Sequence, residues 1–194
     1  MSTSRVDGPE RIRHDIQKCT LCKISSYCNH KVTWRLGITA NHKDIWMFCG
    51  EAPGRTEHIY ESPFMGESGH ILVKMMTDAG MFMPSFPGVR IIYTNAVACT
   101  PFDDETQLHI GTPNKTNIDN CRQYLKRQID YYKPSNIFAI GLVAKQSLSK
   151  LGADFVHLVH PASIMRQGSK GNLDYTSNVL KIKETMKKWQ KRNK

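Results

Sequence analysis

The chain has 194 residues, 40% of them hydrophobic and 23% charged, with a formal net charge of +10. That length suits one domain (1–194) with a substantial core, and no apolar run approaches the ~20 residues of a membrane helix, so no membrane partner is expected. The excess of cations favours a polyanionic partner and says nothing of chemistry; residues 181–194 alone hold seven Lys/Arg against one Glu. Met1–Gly8 lack the apolar region of a secretory signal, which predicts an intracellular (cytoplasmic) protein with reduced thiols.

In chain order, residues 9–18 read as a short helix with Ile12 and Ile16 one turn apart. Cys19-Thr20-Leu21-Cys22 follows, then Cys28 in an irregular stretch, so residues 9–30 form an N-terminal cysteine segment. A redox C-x-x-C opens a helix after a strand; this one follows a helix and precedes a loop, which favours a metal site, zinc or iron–sulfur. The apolar run 45–49 is a first strand that ends in the turn Gly50-Glu51-Ala52-Pro53-Gly54. A polar loop to Pro63-Phe64 leads to a helix at 67–80, whose apolar face is Ile71, Leu72, Met75, Met76 and Ala79. A second strand occupies 91–98 and ends at Cys99; a long polar loop, 102–115, leads to a helix at 116–131. Asn136–Ile140 is a third strand that runs through Gly141 into a helix at 142–151, where Lys145 and the helix N-terminus suit a backbone phosphate. A fourth strand, 155–159, ends at His160-Pro161, and a basic helix at about 176–194 closes the chain. Strand and helix alternate four times, which predicts an α/β fold with a mainly parallel sheet covered on both faces. Such sheets bind ligands beyond the carboxyl ends of their strands, where Glu51, Asn95 and His160 lie.

Taken together, Gly50-Glu51-Ala52-Pro53-Gly54, Glu57, Pro63-Phe64-Met65-Gly66, Tyr93-Thr94-Asn95 and His160-Pro161-Ala162 with Arg166 resemble the iron–sulfur (family 4 type) uracil-DNA glycosylases, grouped with phage SPO1 polymerase-related sequences. The resemblance runs from Cys19 to about Arg166. It implies a three-layer α/β/α fold with a central four-stranded, mainly parallel sheet. It also implies hydrolysis of the N-glycosidic bond of uracil flipped out of DNA, by a monomer with a structural 4Fe-4S cluster on Cys19, Cys22, Cys99 and Cys121. By the same resemblance Phe64 stacks on the pyrimidine, Asn95 pairs with its edge, and His160 stabilises the developing anion. Glu51 helps place water or balances the cationic sugar, Glu57 crowds the pyrimidine C5, and Gly50 lets the base approach the backbone. The segment Ala162–Arg166 is similar to the family's minor-groove wedge, with Ile164 and Met165 filling the vacated stack and Arg166 on phosphate.

Departures from the family pattern are His58 and Glu61 in the pocket loop, Thr100-Pro101-Phe102 after Cys99, and a longer Cys99–Cys121 connection containing Asp103–His109. They motivate two other readings: excision of another C5-modified or deaminated base, and a catalytically weak DNA-binding or replication-associated module. A related branch carries an attacking histidine near the position of His109, which raises a covalent DNA adduct as a further expectation.

Overall fold

A computed structural model describes residues 8–37, 44–83, 86 and 88–193. Met1–Asp7, read above for a leader, and Lys194, the last residue of the basic tail, lie outside them. The elements are α1 (Pro9–Gln17), α2 (Ile24–Tyr27), β1 (Arg35–Leu36), β2 (Ile45–Gly50), α3 (Arg55–Tyr60), α4 (Glu67–Asp78) and β3 (Arg90–Asn95). They continue with α5 (Lys115–Tyr132), β4 (Asn136–Ile140), α6 (Gly141–Lys150), β5 (Val156–Leu158), α7 (Pro161–Arg166) and α8 (Gly168–Arg192).

The sheet order is β1-β3-β2-β4-β5. Pairs β3–β2, β2–β4 and β4–β5 are parallel, as the alternation of strand and helix predicts, and β1 adds an antiparallel edge. The sheet therefore has five strands rather than four. Two residues are too few to carry a period-two pattern, and β1 is held instead by side chains: Arg35 lies 4.1 Å over the Tyr93 ring and donates to the Pro63 carbonyl at 2.9 Å.

Strand alternation builds both cores. Trp46 and Phe48 point to the side covered by α4, α7 and α8, where Phe48 stacks on Phe138 at 4.5 Å. Met47 and Cys49 point the other way, toward Ile12 and Ile16 of α1, Leu125 of α5 and Leu148 of α6. These four strand residues are wholly buried. The result is three layers, helix–sheet–helix.

Two short helices replace what reads as loop in the sequence. Residues 55–60 form α3, and 161–166 form α7. Each has six residues, too few turns for an apolar stripe to register. The second strand stops at Asn95 rather than Ala98, although Ala96 and Val97 still donate to the Gly50 and Glu51 carbonyls at 2.9 and 3.0 Å. The last helix begins at Gly168, where Gly171 passes so close to the Ile164 carbonyl that a Cβ would sit 2.1 Å from it.

Candidate active site

The strand register brings the pocket together. Gly50, ending β2, pairs with Asn95, ending β3, so Glu51 and Asn95 project from adjacent strands at the carboxyl edge. A Cβ on Gly50 would lie 2.4 Å from Asn95 Oδ1 and 2.8 Å from Phe64 Cζ, so only glycine lets those two side chains meet over it. Phe64 holds a left-handed backbone (φ 57°), a conformation that side chains resist and that surrounding structure must enforce. Gly69 of α4 supplies part of that enforcement, since a Cβ there would lie 2.1 Å from the Phe64 carbonyl oxygen.

A cavity of about 150 Å³ results, lined by Gly50, Glu51, Ala52, Gly54, Glu57, Phe64, Ser68, Asn95 and His160. Gly50, Glu51, Glu57, Phe64, Asn95 and His160, named from sequence, all line it. Ser68 is an addition, placed by the first turn of α4. The cavity shares Glu51, Ala52, Gly54 and His160 with a larger cleft of about 600 Å³, and so opens from its floor. The cleft runs between Pro101, Ile110, Gly111 and Thr112 on one side and Ala162, Ser163 and Arg166 on the other. Among the described residues no lysine lines the cavity or the cleft.

The polar groups differ in how far they are engaged. The Asn95 amide and the Glu51 carboxylate have no hydrogen-bond partner among the described residues. Burial alone raises the Glu51 pKa above the ordinary carboxylate value of 4.5. His160 caps α7: its Nδ1 accepts from the Ala162 N–H at 3.2 Å. That bond leaves the proton of the neutral ring on Nε2, a donor free for a ligand. Burial, then the charge of Arg166, lowers the His160 pKa and favours the neutral form. Glu57 is fully engaged. Its Oε2 accepts from Gly54 N at 3.0 Å and its Oε1 from Gly66 N at 2.6 Å, clamping both ends of the pocket loop.

Other residues named from sequence fall elsewhere. His58 and Glu61 do not line the cavity. His58 Nδ1 lies 4.0 Å from Cys28 Sγ, with its ring edge-on to Phe102 at 5.0 Å, and Glu61 pairs with His30 at 3.1 Å. Both therefore face the cysteine segment, because Glu57 occupies the inner face of α3. Ile164 is buried in the core beside α8, since the turn of α7 puts it on the same side as buried Pro161; a role filling a DNA stack is not open to it as placed. Met165 remains partly exposed and Arg166 lines the cleft. Lys145 is exposed one turn into α6 and lies outside the cleft, while Gly141 and Leu142 at that helix start line it.

The thiols gather at one corner. Cys28, Cys99 and Cys121 are buried together with Val97 and Ile118, and Cys22 packs against them. Cys19 lies beside Tyr124 and is near enough to Cys121 to influence it. Burial pushes the Cys121 thiol up to about 12, with Cys22, Cys19 and Cys28 adding to the effect. The neighbouring Cys28 and Cys99 thiols shift each other, Cys99 upward and Cys28 downward. Among the described residues no three His, Cys, Asp or Glu side chains converge as ligands of a single ion. An all-thiol donor set drawn from three segments suits an iron–sulfur cluster, in which each iron takes its own thiolate. The segment is pinned there by Val32 N to the Ala98 carbonyl at 2.8 Å and by Asn120 Nδ2 to the Leu21 carbonyl at 2.7 Å. Cys49 is apart, buried in β2 with its thiol pKa raised by desolvation, as a small apolar residue.

A family model, the uracil DNA glycosylase superfamily, matches residues 38–183. Among curated proteins the chain is similar to the Type-4 uracil-DNA glycosylases of Pyrobaculum aerophilum (28% identical over 146 residues, 73% of this chain) and Sulfurisphaera tokodaii (30% over 151, 77%). It is likewise similar to that of Archaeoglobus fulgidus (28% over 146 residues, 75%). The matches span 65%, 62% and 66% of those relatives' own lengths. Because the family model takes in most of the 194 residues, the chain belongs to the uracil DNA glycosylase superfamily.

Proposed function

We propose that the chain removes uracil from DNA by hydrolysing the N-glycosidic bond, leaving an abasic site. One observation carries the reading: a cavity sized for a single base, in which an unengaged amide, a donor nitrogen and a desolvated carboxylate surround an aromatic ring. A flipped pyrimidine stacks on Phe64. The Asn95 amide offers one donor and one acceptor to its edge, matching the N–H and carbonyl of uracil. As the C1′–N1 bond breaks, its electron pair passes into the base, and His160 Nε2–H donates to the pyrimidine oxygen that gains charge. The ionised Glu51 balances the cationic sugar and orients the water that adds to C1′; that water's second proton goes to solvent. With no lysine among the described residues that line the cavity or the cleft to form an imine, the reaction stops at the abasic site.

Cys19, Cys22, Cys99 and Cys121 are the proposed holders of a 4Fe-4S cluster. Bound there it serves structure, tying the N-terminal segment to the end of β3 and to α5. The substrate is uracil-containing DNA, met by a monomer inside the cell.

The test is abasic-site formation on single-stranded oligonucleotides bearing uracil, 5-hydroxymethyluracil, hypoxanthine or thymine. Uracil should be the preferred base. Asn95→Ala and His160→Asn should each lower kcat/KM by about 10²–10³, the usual cost of removing a transition-state donor. Asn at position 160 preserves the helix cap, so its melting temperature should hold. Product from none of the four bases would overturn the reading, as would full activity in both variants.

A further inference from the structure

The cleft beyond the base pocket has the wrong chemistry for a run of phosphates. Among the described residues, Arg166 is the one lysine or arginine on its lining. His157 lines it too, but burial, then the nearby Lys145 and Lys181, lower its pKa, so the ring is neutral at pH 7. Much of the rest is apolar: Pro53, Pro101, Ile110, Leu142, Val159 and Ala162. Two of these are left substantially in water, Leu142 at 73% exposure and Ile110 at 38%. A single exposed leucine means little. Two such side chains on the lining of one cleft, beside a pocket for a base, make an apolar surface for a ligand.

Both side chains stand on fixed backbone. Leu142 follows Gly141, whose left-handed backbone (φ 85°) runs so close to His160 that a Cβ there would lie 3.2 Å from the ring Cδ2. One turn at the start of α6 therefore sets the exposed leucine beside the pocket histidine. Ile110 belongs to a hairpin: it bridges to Phe102, and Gly111 N donates to the Pro101 carbonyl at 2.9 Å. Arg55, opening α3, ties that hairpin down by donating to the carbonyls of Gln107 and Leu108 at 2.8 and 2.9 Å. The cleft is also continuous with the pocket, sharing Glu51, Ala52, Gly54 and His160 with it. At about 600 Å³ against about 150 Å³, it has room for a further nucleotide once the pocket holds one base. Withdrawing a base from a strand uncovers a face of the base next to it, and apolar side chains can cover that face whatever the sequence.

We propose that the cleft is a second nucleobase subsite, which holds the base next to the extruded uracil against Leu142 and Ile110. It rests on the smaller cavity being the uracil pocket. The test removes the base from the substrate and the side chain from the protein in turn. Short single strands carry uracil with a tetrahydrofuran abasic residue in place of the nucleotide before or after it, and kcat/KM is read on each. In the unaltered protein, losing the base on one of the two sides should cost about tenfold. In Leu142→Ala that cost should shrink to less than about threefold, because the side chain that covered the base is gone. Leu142→Phe, which restores an apolar face, should restore the cost. Leu142→Ala removes exposed atoms and places a stronger helix former, so its melting temperature should not fall. No cost on either side, or a tenfold cost that persists unchanged in Leu142→Ala, overturns the subsite and leaves the glycosylase reading intact. Fluorescence anisotropy on the same strands, with the uracil also replaced by tetrahydrofuran, makes the comparison without chemistry. Binding that depends on the neighbouring base and on Leu142, in a protein that excises nothing, keeps the subsite and overturns the glycosylase reading alone.

Discussion

His160 shows how a cap can set a catalytic protonation state. Its Nδ1 is committed to the Ala162 N–H, so the ring serves as an Nε2–H donor while neutral, and protonating Nδ1 would break the cap. Its lowered pKa means the fold favours the neutral ring: that stabilisation is complete above the ordinary value of 6.5 and is lost as pH falls through the folded value. Glu51 works in the opposite sense. Burial raises its pKa, so the fold favours the protonated acid, and ionising it at neutral pH costs stability. If the ionised form is the working one, the acid limb of the kcat/KM profile should lie above pH 4.5. Glu51→Gln should then abolish that limb, lower activity by about 10²-fold or more, and raise the melting temperature at pH 7. A melting temperature that falls in Glu51→Gln would show that the carboxylate is held by the fold rather than merely tolerated by it.

At the level of elements, α3 is the piece on which the pocket turns. Glu57 joins its N-terminal Gly54 to Gly66, the residue before α4, through two charge-assisted bonds of about 1.5–3 kcal/mol each. Glu57→Gln replaces one acceptor oxygen with an N–H facing an N–H. The melting temperature should fall by several degrees, at about 2–4 °C per kcal/mol for a chain of this length. With Glu57 as a clamp, thymine stays rejected; if thymine were excised at an unchanged melting temperature, the residue would instead be the C5 gatekeeper that the family resemblance implies. The sequence makes β2, β3, β4, α4 and α5 plain, because each is long enough for its period to emerge. It also brings Glu51, Asn95 and His160 to one edge by topology alone. The helices α3 and α7 are invisible to periodicity, since each is little more than one turn between polar loops. For that reason the inward and outward faces of α3 cannot be told apart from sequence. His58 and Glu61 look like pocket residues beside Glu57, yet the helical turn sends them toward His30 and Cys28. Ile164 misleads in the same way: it reads as an exposed wedge in a loop, and a helix buries it.

Across the whole molecule, the charge that first suggested a polyanionic partner is displaced from the site that would use it. The helix α8 has 25 residues, about 37 Å of length, and starts next to α7 at the cleft. It ends at the opposite edge of the sheet: the Trp189 indole donates to Asp44, just ahead of β2, at 2.8 Å and packs on Trp46 and Phe86. Ile182 and Met186 are buried on the same face, so Lys187, Lys188 and Lys191 are exposed at the far end, several Debye lengths from the pocket at ordinary salt. They can raise the encounter rate with long DNA but cannot touch a short strand lying in the cleft. Replacing the three by Gln should change kcat/KM on a uracil oligonucleotide of about ten residues by less than about twofold at 0.15 M salt, while weakening binding to long DNA. A tenfold loss on the short substrate would mean that the nucleic acid wraps from the carboxyl edge of the sheet around to the amino edge. The cleft walls at Arg166 and Gly111 would then mark only the start of the footprint.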